Sequence, residues 1–131
     1  MAKTQQQKIG KIGEDMAVKY LKKKGYKILE RNYRADKFGE IDIIASCKKS
    51  DSTFLQPSKN LIFVEVKTKT NQNFGLPEQE FTYHKKKKMR RAIQNYLFKK
   101  YLTDSDWQVD LIAIEISDEK KDIRHYENIS L

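Results

Sequence analysis

Apolar side chains recur along this chain with two different periods. Between Thr4 and Lys24, Ile9, Ile12, Met16 and Tyr20, with Ala17 and Leu21 beside them, fall three to four residues apart. That spacing predicts an amphipathic helix, with Lys22 to Lys24 in its last turn and Gly25 ending it. Phe81 to Tyr101 repeats the pattern: Thr82 is a candidate cap, and Met89, Ile93, Tyr96, Leu97 and Tyr101 form the expected buried stripe. Elsewhere the period shortens to two or the apolar run is continuous. Strands are expected at Tyr26–Tyr33, Glu40–Ser46, Leu61–Thr68 and Trp107–Ile116, with a short edge strand at Ile123–Tyr126. A turn is expected through Asp36 to Gly39, a polar loop through Cys47 to Asn60, and another loop at Gly75 and Pro77. The order is α-β-β-β-α-β with a late strand, which suits an α/β fold: a mixed sheet flanked by helices. No repeat or internal boundary breaks the 131 residues, so one domain is expected, with a flexible start over 1–8 and a peripheral tail over 117–131.

Charge adds a partner to this outline. The net charge is +9, and it is uneven, since the stretch from Thr103 onward holds eight acids against three bases. A basic excess in the first hundred residues suits a polyanion, and on charge alone a nucleic acid is an even bet, since many soluble proteins are basic. Phe81 to Tyr101 contains eight Lys and Arg and no acid. Lys85, Lys86, Lys87, Lys88, Arg90 and Arg91 are therefore candidate phosphate contacts, although they surround the helix start and cannot all face one groove. A solvated basic face is the competing reading. Tyr83 is expected to pack, and His84 and His125 to be ordinary surface histidines. Cys47 is the only cysteine, so neither an internal disulfide nor a cysteine zinc cluster is expected. With no long apolar run and no apolar middle in the first residues, the expected location is the cytoplasm, away from membranes.

The candidate chemistry sits on strands. Glu65 and Lys67 are two apart and emerge on one face of an otherwise apolar strand. An isolated Glu-x-Lys is commonly a plain ion pair on a solvent-facing sheet. Asp42 changes the weighing, because a hairpin across the intervening loop would bring it beside Glu65. Neighbouring carboxylates repel unless a cation or proton lies between them, and hard oxygen donors favour Mg²⁺ or Mn²⁺. Glu40 shares the strand face of Asp42 but is expected to be solvated. Glu14, in the first helix, lies near Gly10 and Ala17, whose small side chains would let that face approach the sheet. Asp15 lies on another face.

Taken in order, GKIGEDMAVKYLKKKGYKILERNYR, GEIDIIA and LIFVEVKTKT resemble the YraN-type family of bacterial proteins. That family is similar to a branch of the PD-(D/E)XK nucleases, near the archaeal Holliday-junction resolvases, over about Gly10 to Ile114. The resemblance implies a restriction-endonuclease-like sheet and a metal-dependent endonuclease acting on DNA, with branched or junction DNA as substrate. It implies Asp42 and Glu65 as ligands of Mg²⁺ or Mn²⁺, joined by the Val66 carbonyl. Lys67 becomes the catalytic lysine, Glu14 the helix acid that completes the site, and Lys69 a phosphate contact. It also implies a homodimer, since resolvases cut symmetrically. Three departures stand out. Lys69 replaces a usual Arg, only Asp110 survives of an Arg-Phe-Asp sequence, and Asp51 to Lys59 lengthen a loop. Two other readings remain open: a non-catalytic nucleic-acid-binding module, and a basic domain that docks on an acidic protein partner.

Overall fold

A computed structural model describes residues 2–48, 59–70 and 75–131. Helix α1 (Gln5–Lys23) leads into strands β1 (Lys27–Arg34), β2 (Glu40–Lys48) and β3 (Lys59–Thr70). Helix α2 (Tyr83–Lys99) then connects to β4 (Trp107–Ile116) and β5 (Lys121–Tyr126). The expected order therefore holds, with the late strand present. The insertion expected at Asp51 to Lys59 lies almost wholly outside the described residues.

The sheet runs β1-β2-β3-β4-β5. Three of its pairings are antiparallel, and β3 and β4 alone pair parallel, which requires the α2 crossover. Two cores follow from the alternation of side chains along the central strands. Ile43, Ala45, Ile62, Val64, Val66, Ile112 and Ile114 turn to one face and pack under Ala17, Val18 and Leu21 of α1. Ile44, Leu61, Phe63, Val109 and Leu111 turn to the other face, under Met89, Ala92, Ile93, Tyr96 and Leu97 of α2. The central strands are buried on both faces, so they read as continuous apolar runs rather than alternating ones.

Helix ends follow their caps. Thr4 and Gln7 form a reciprocal capping box at the start of α1. Thr82 caps α2 through its acceptance of Lys85 N–H. Phe81, expected inside that helix, instead precedes the cap and inserts into the core. Three expectations about burial are corrected. Tyr101 lies past the end of α2 with φ 56° and is 94% exposed, Tyr83 is 78% exposed, and Ile12 is 48% exposed. No helix among the described residues is long and apolar enough to cross a membrane.

Candidate active site

The candidate side chains converge where the β2–β3 ladder stops. Ile43 opposite Val64 is its last rung, so Asp42 and Glu65 are the next residues in register. Their carboxyl groups come close enough for Glu65 to act on Asp42, and Asp42 Oδ2 accepts from Val66 N–H at 2.9 Å. A side-chain carboxylate thus takes over where backbone pairing ends. Burial, then the hydrogen bond and charge of Glu65, hold the Asp42 carboxyl well above the ordinary range. The Val66 N–H and the nearby Lys67 ammonium pull it the other way. Glu65 and Lys67 are both half-buried on the face that alternation predicts. The Val66 peptide, expected to offer a carbonyl, is anchored at this point through its N–H.

Glu14 arrives from α1, and the residue before it explains how. A Cβ on Gly13 would lie 1.9 Å from Thr68 Oγ1, so only glycine lets the helix rest on β3 here. Gly10, expected to open this approach, has nothing within 4 Å of a built Cβ and borders open space instead. Burial raises the pKa of Glu14, a hydrogen bond from Asn32 lowers it, and the Asp42 charge raises it again. Glu40, as expected, is exposed, and it pairs with Arg34 at 3.2 Å.

Asn32 belongs to the site although the sequence reading gave it no role. Its neighbours pair as Arg31 with Ile43 and Tyr33 with Ile41, so Asn32 stands across from Asp42. Its φ of 51° is left-handed, and its Nδ2 donates to Glu14 Oε1 at 2.7 Å. Asparagine tolerates that conformation better than most residues, yet it is depleted in strands. An Asn inside a strand was the available signal. Beyond this pair opens a cleft of about 570 Å³, bordered by Gly10, Lys11, Arg31 and Glu40.

The donor set suits a hard divalent cation. Two carboxyl groups this close in a shielded position need either a proton or a cation to offset their repulsion, and the acidic side chains here offer only oxygen ligands. Mg²⁺ or Mn²⁺ therefore fits the residues present.

The basic candidates separate in the fold. Lys69 is held by Glu80 at 2.7 Å. Lys86 lies over the Phe81 ring at 5.6 Å, and Arg90 donates to the Leu131 carbonyl at 3.1 Å. Lys85 is exposed near Glu80, whose pKa it helps to lower. Lys87, Lys88 and Arg91 line a common cleft with His84.

A second polar cluster lies across the sheet, on β4 and the edge strand β5. Asp110 is fully buried, and it accepts from Gln108 Nε2 (2.8 Å), Asn128 N–H (3.0 Å) and His125 Nε2 (2.7 Å). His125 is not a surface residue: its side chain is 4% exposed, and its Nδ1 meets Tyr20 Oη at 3.1 Å. Asp110, His125 and Glu127 bring ligand-type atoms within 4.8 Å of one another. The oxygens of Asp110 are already satisfied by protein donors, however, so this group reads as a tie between α1, β4 and β5.

Residues 13–114 match the profile described as uncharacterised protein family UPF0102. The chain belongs to the UPF0102 family. A UPF0102 protein of Alkaliphilus oremlandii is 42% identical over 123 residues, covering 92% of this chain and 96% of its own length. A second, from Caldanaerobacter subterraneus, is 36% identical over 129 residues, covering 98% and 97%. A third, from Carboxydothermus hydrogenoformans, is 36% identical over 121 residues, covering 92% and 93%. The UPF0102 match takes in Glu14, Asn32, Asp42, Glu65 and Lys67, and it ends before β5 and His125.

Proposed function

We propose that this UPF0102 chain is a metal-dependent endonuclease that hydrolyses phosphodiester bonds in DNA, with branched or junction DNA as its substrate. The observation that carries the reading is the Asp42–Glu65 pair at the end of a ladder, with Asp42 pinned by the Val66 N–H and Lys67 nearby. Asp42, Glu65 and the Val66 carbonyl would hold one Mg²⁺ or Mn²⁺. Such an ion neutralises phosphate charge and makes water a better nucleophile near neutral pH. Lys67, two residues from Glu65, orients the attacking water and stabilises the negative charge that develops on the phosphate. Glu14, fixed by Asn32, faces the same point from the helix side and orders water there. On a junction, symmetric cutting needs two copies of the chain.

The test uses end-labelled four-way junction, flap, duplex and single strand, each with Mg²⁺ or Mn²⁺ and with EDTA. Cleavage that needs the ion and vanishes in Asp42→Ala is the expected result. Lys67→Ala should abolish cleavage while leaving DNA affinity nearly unchanged. A Lys67→Ala chain that binds poorly yet cuts normally once bound would reduce Lys67 to a phosphate contact. Folded protein that binds DNA but cuts none of the four shapes would make the chain a binding module.

A further inference from the structure

A stripe of cations on α2 meets no carboxylate among the described residues. His84, Lys88 and Arg91 follow at intervals of four and three along α2 and so share one helix face. With Lys87, and with Lys37 and Phe38 from the turn before β2, they line a cleft of about 350 Å³ that no carboxylate borders. Among the described residues, Lys37, Lys87, Lys88 and Arg91 make no ion pair; Lys37 lies over the Phe38 ring at 5.6 Å. The opposite flank differs. There Lys11 and Arg31 both reach Asp15, at 3.6 and 2.7 Å. Lys69 is also taken up, by Glu80.

One of these cations reaches the turn that leads into the strand of Asp42. Lys88 runs over Gly39, where a built Cβ would lie 3.1 Å from Cε and 3.5 Å from Nζ. Gly39, with φ 88°, immediately precedes β2, which carries Glu40 and Asp42. An ammonium is thereby set beside the backbone three residues before Asp42. From His84 to Arg91 the stripe extends roughly 10 Å along the helix axis, at ~1.5 Å per residue. Charges spread along a line suit a chain of phosphates better than one compact anion, which would need donors converging on a point.

We propose that this stripe, Lys37, Lys87, Lys88 and Arg91 with Phe38 as an apolar floor, is the phosphate track along which the DNA substrate leaves the carboxylate site. The proposal rests on the nuclease reading for its substrate. It makes the interface one-sided: α2 and the turn before β2 bind the backbone, whereas the Lys11 and Arg31 flank does not.

The experiment measures DNA binding by fluorescence anisotropy between 50 and 300 mM salt, without divalent ions, so that cleavage plays no part. Two triple variants with equal charge change are compared, and all six positions are exposed: Lys87→Gln/Lys88→Gln/Arg91→Gln, and Lys19→Gln/Lys22→Gln/Lys23→Gln at the far end of α1. The first should lose on the order of 10- to 100-fold in affinity and flatten the log–log salt slope by about 2–3, at roughly 0.9 per phosphate contact. The second should keep the parental slope. Equal losses in both, or an unchanged slope in the first, overturn the track while leaving the nuclease reading standing. Failure of the parent chain to bind any DNA shape overturns both.

Discussion

Asp42→Asn should stabilise the ion-free protein. In the parent, the Asp42 and Glu65 carboxyls are in contact in a shielded position, and burial together with Glu65 raises the Asp42 pKa. Two full charges ~4 Å apart repel by about 4 kcal/mol at an effective dielectric constant near 20. The ammonium of Lys67 and the partial exposure of Glu65 reduce the net penalty to about 1–2 kcal/mol. An amide at this position keeps an oxygen for the Val66 N–H and gains a donor toward Glu65. In EDTA at pH 8, the melting temperature should therefore rise by about 3–8 °C, as expected for that free energy in a domain of this size. Proton linkage fixes the sign with pH. A carboxyl whose folded-state pKa is raised binds its proton more tightly when folded, so the parent is most stable below the unfolded value and loses stability as pH rises through the folded one. The two proteins should melt most nearly alike in acid and diverge toward alkaline pH. Adding Mg²⁺ or Mn²⁺ should invert the order, because at hundredfold excess over its Kd an ion stabilises the parent by about 2.7 kcal/mol and the variant by far less. Differential scanning fluorimetry across pH, with and without the ion, measures all three effects. A variant less stable than the parent in EDTA at pH 8, or equal ion-induced shifts in both, would refute the reasoning.

Three further outcomes are expected. Gly13→Ala should destabilise by about 2–3 kcal/mol in urea unfolding, because the added methyl meets Thr68 Oγ1, and Thr68→Ala should restore part of the loss; an unchanged midpoint would mean that α1 does not rest on β3 there. Asn32→Ala should cost about 1 kcal/mol more than Asn32→Gly, since only glycine adopts the left-handed φ without strain, while both should raise the titration of Glu14 seen by NMR. Asp110→Asn should cost about 2–4 kcal/mol by leaving His125 and its neighbours incompletely paired. Burial raises the Asp110 pKa, but bonds from His125, Asn128 and Gln108 bring it below the ordinary value. The parent should therefore lose that stabilisation as pH falls through the folded value, and Asp110→Asn should show a flatter acid limb.

The elements were legible where one residue's surroundings are set by its sequence neighbours. Leu61 to Thr68 reads as a strand because packing on both faces demands an unbroken apolar run, and Thr82 announces the start of α2 through its own cap. Strand ends were less legible. β2 and β3 extend past their apolar stretches into Lys48 and Lys59, where backbone pairing continues without apolar side chains to mark it. Asp42, Glu65 and Lys67 could be placed together because a hairpin register and a period of two suffice. Asn32 and Gly13 could not, since one depends on a left-handed backbone and the other on a helix laid over a strand fifty-five residues later. His125 was misread for the same reason: its partner Asp110 lies on a neighbouring strand, and nothing beside it in the chain indicates a buried acid.

The lone parallel pairing has a kinetic consequence. β1, β2 and β3 meet through antiparallel neighbours in sequence order, so Glu65 can find Asp42 by closing one connection. β4 reaches β3 only after the chain has passed through the whole of α2, and late, long-range closures of this kind are slow. Refolding should therefore bring Asp42 and Glu65 together before it joins β4 to β3, so that, on the proposed function, ion binding would recover ahead of DNA binding. The two halves of the chain would then mature as separate kinetic units: on the proposed function, the carboxylates and Lys37 assemble in the first, and the α2 cations join them with the second.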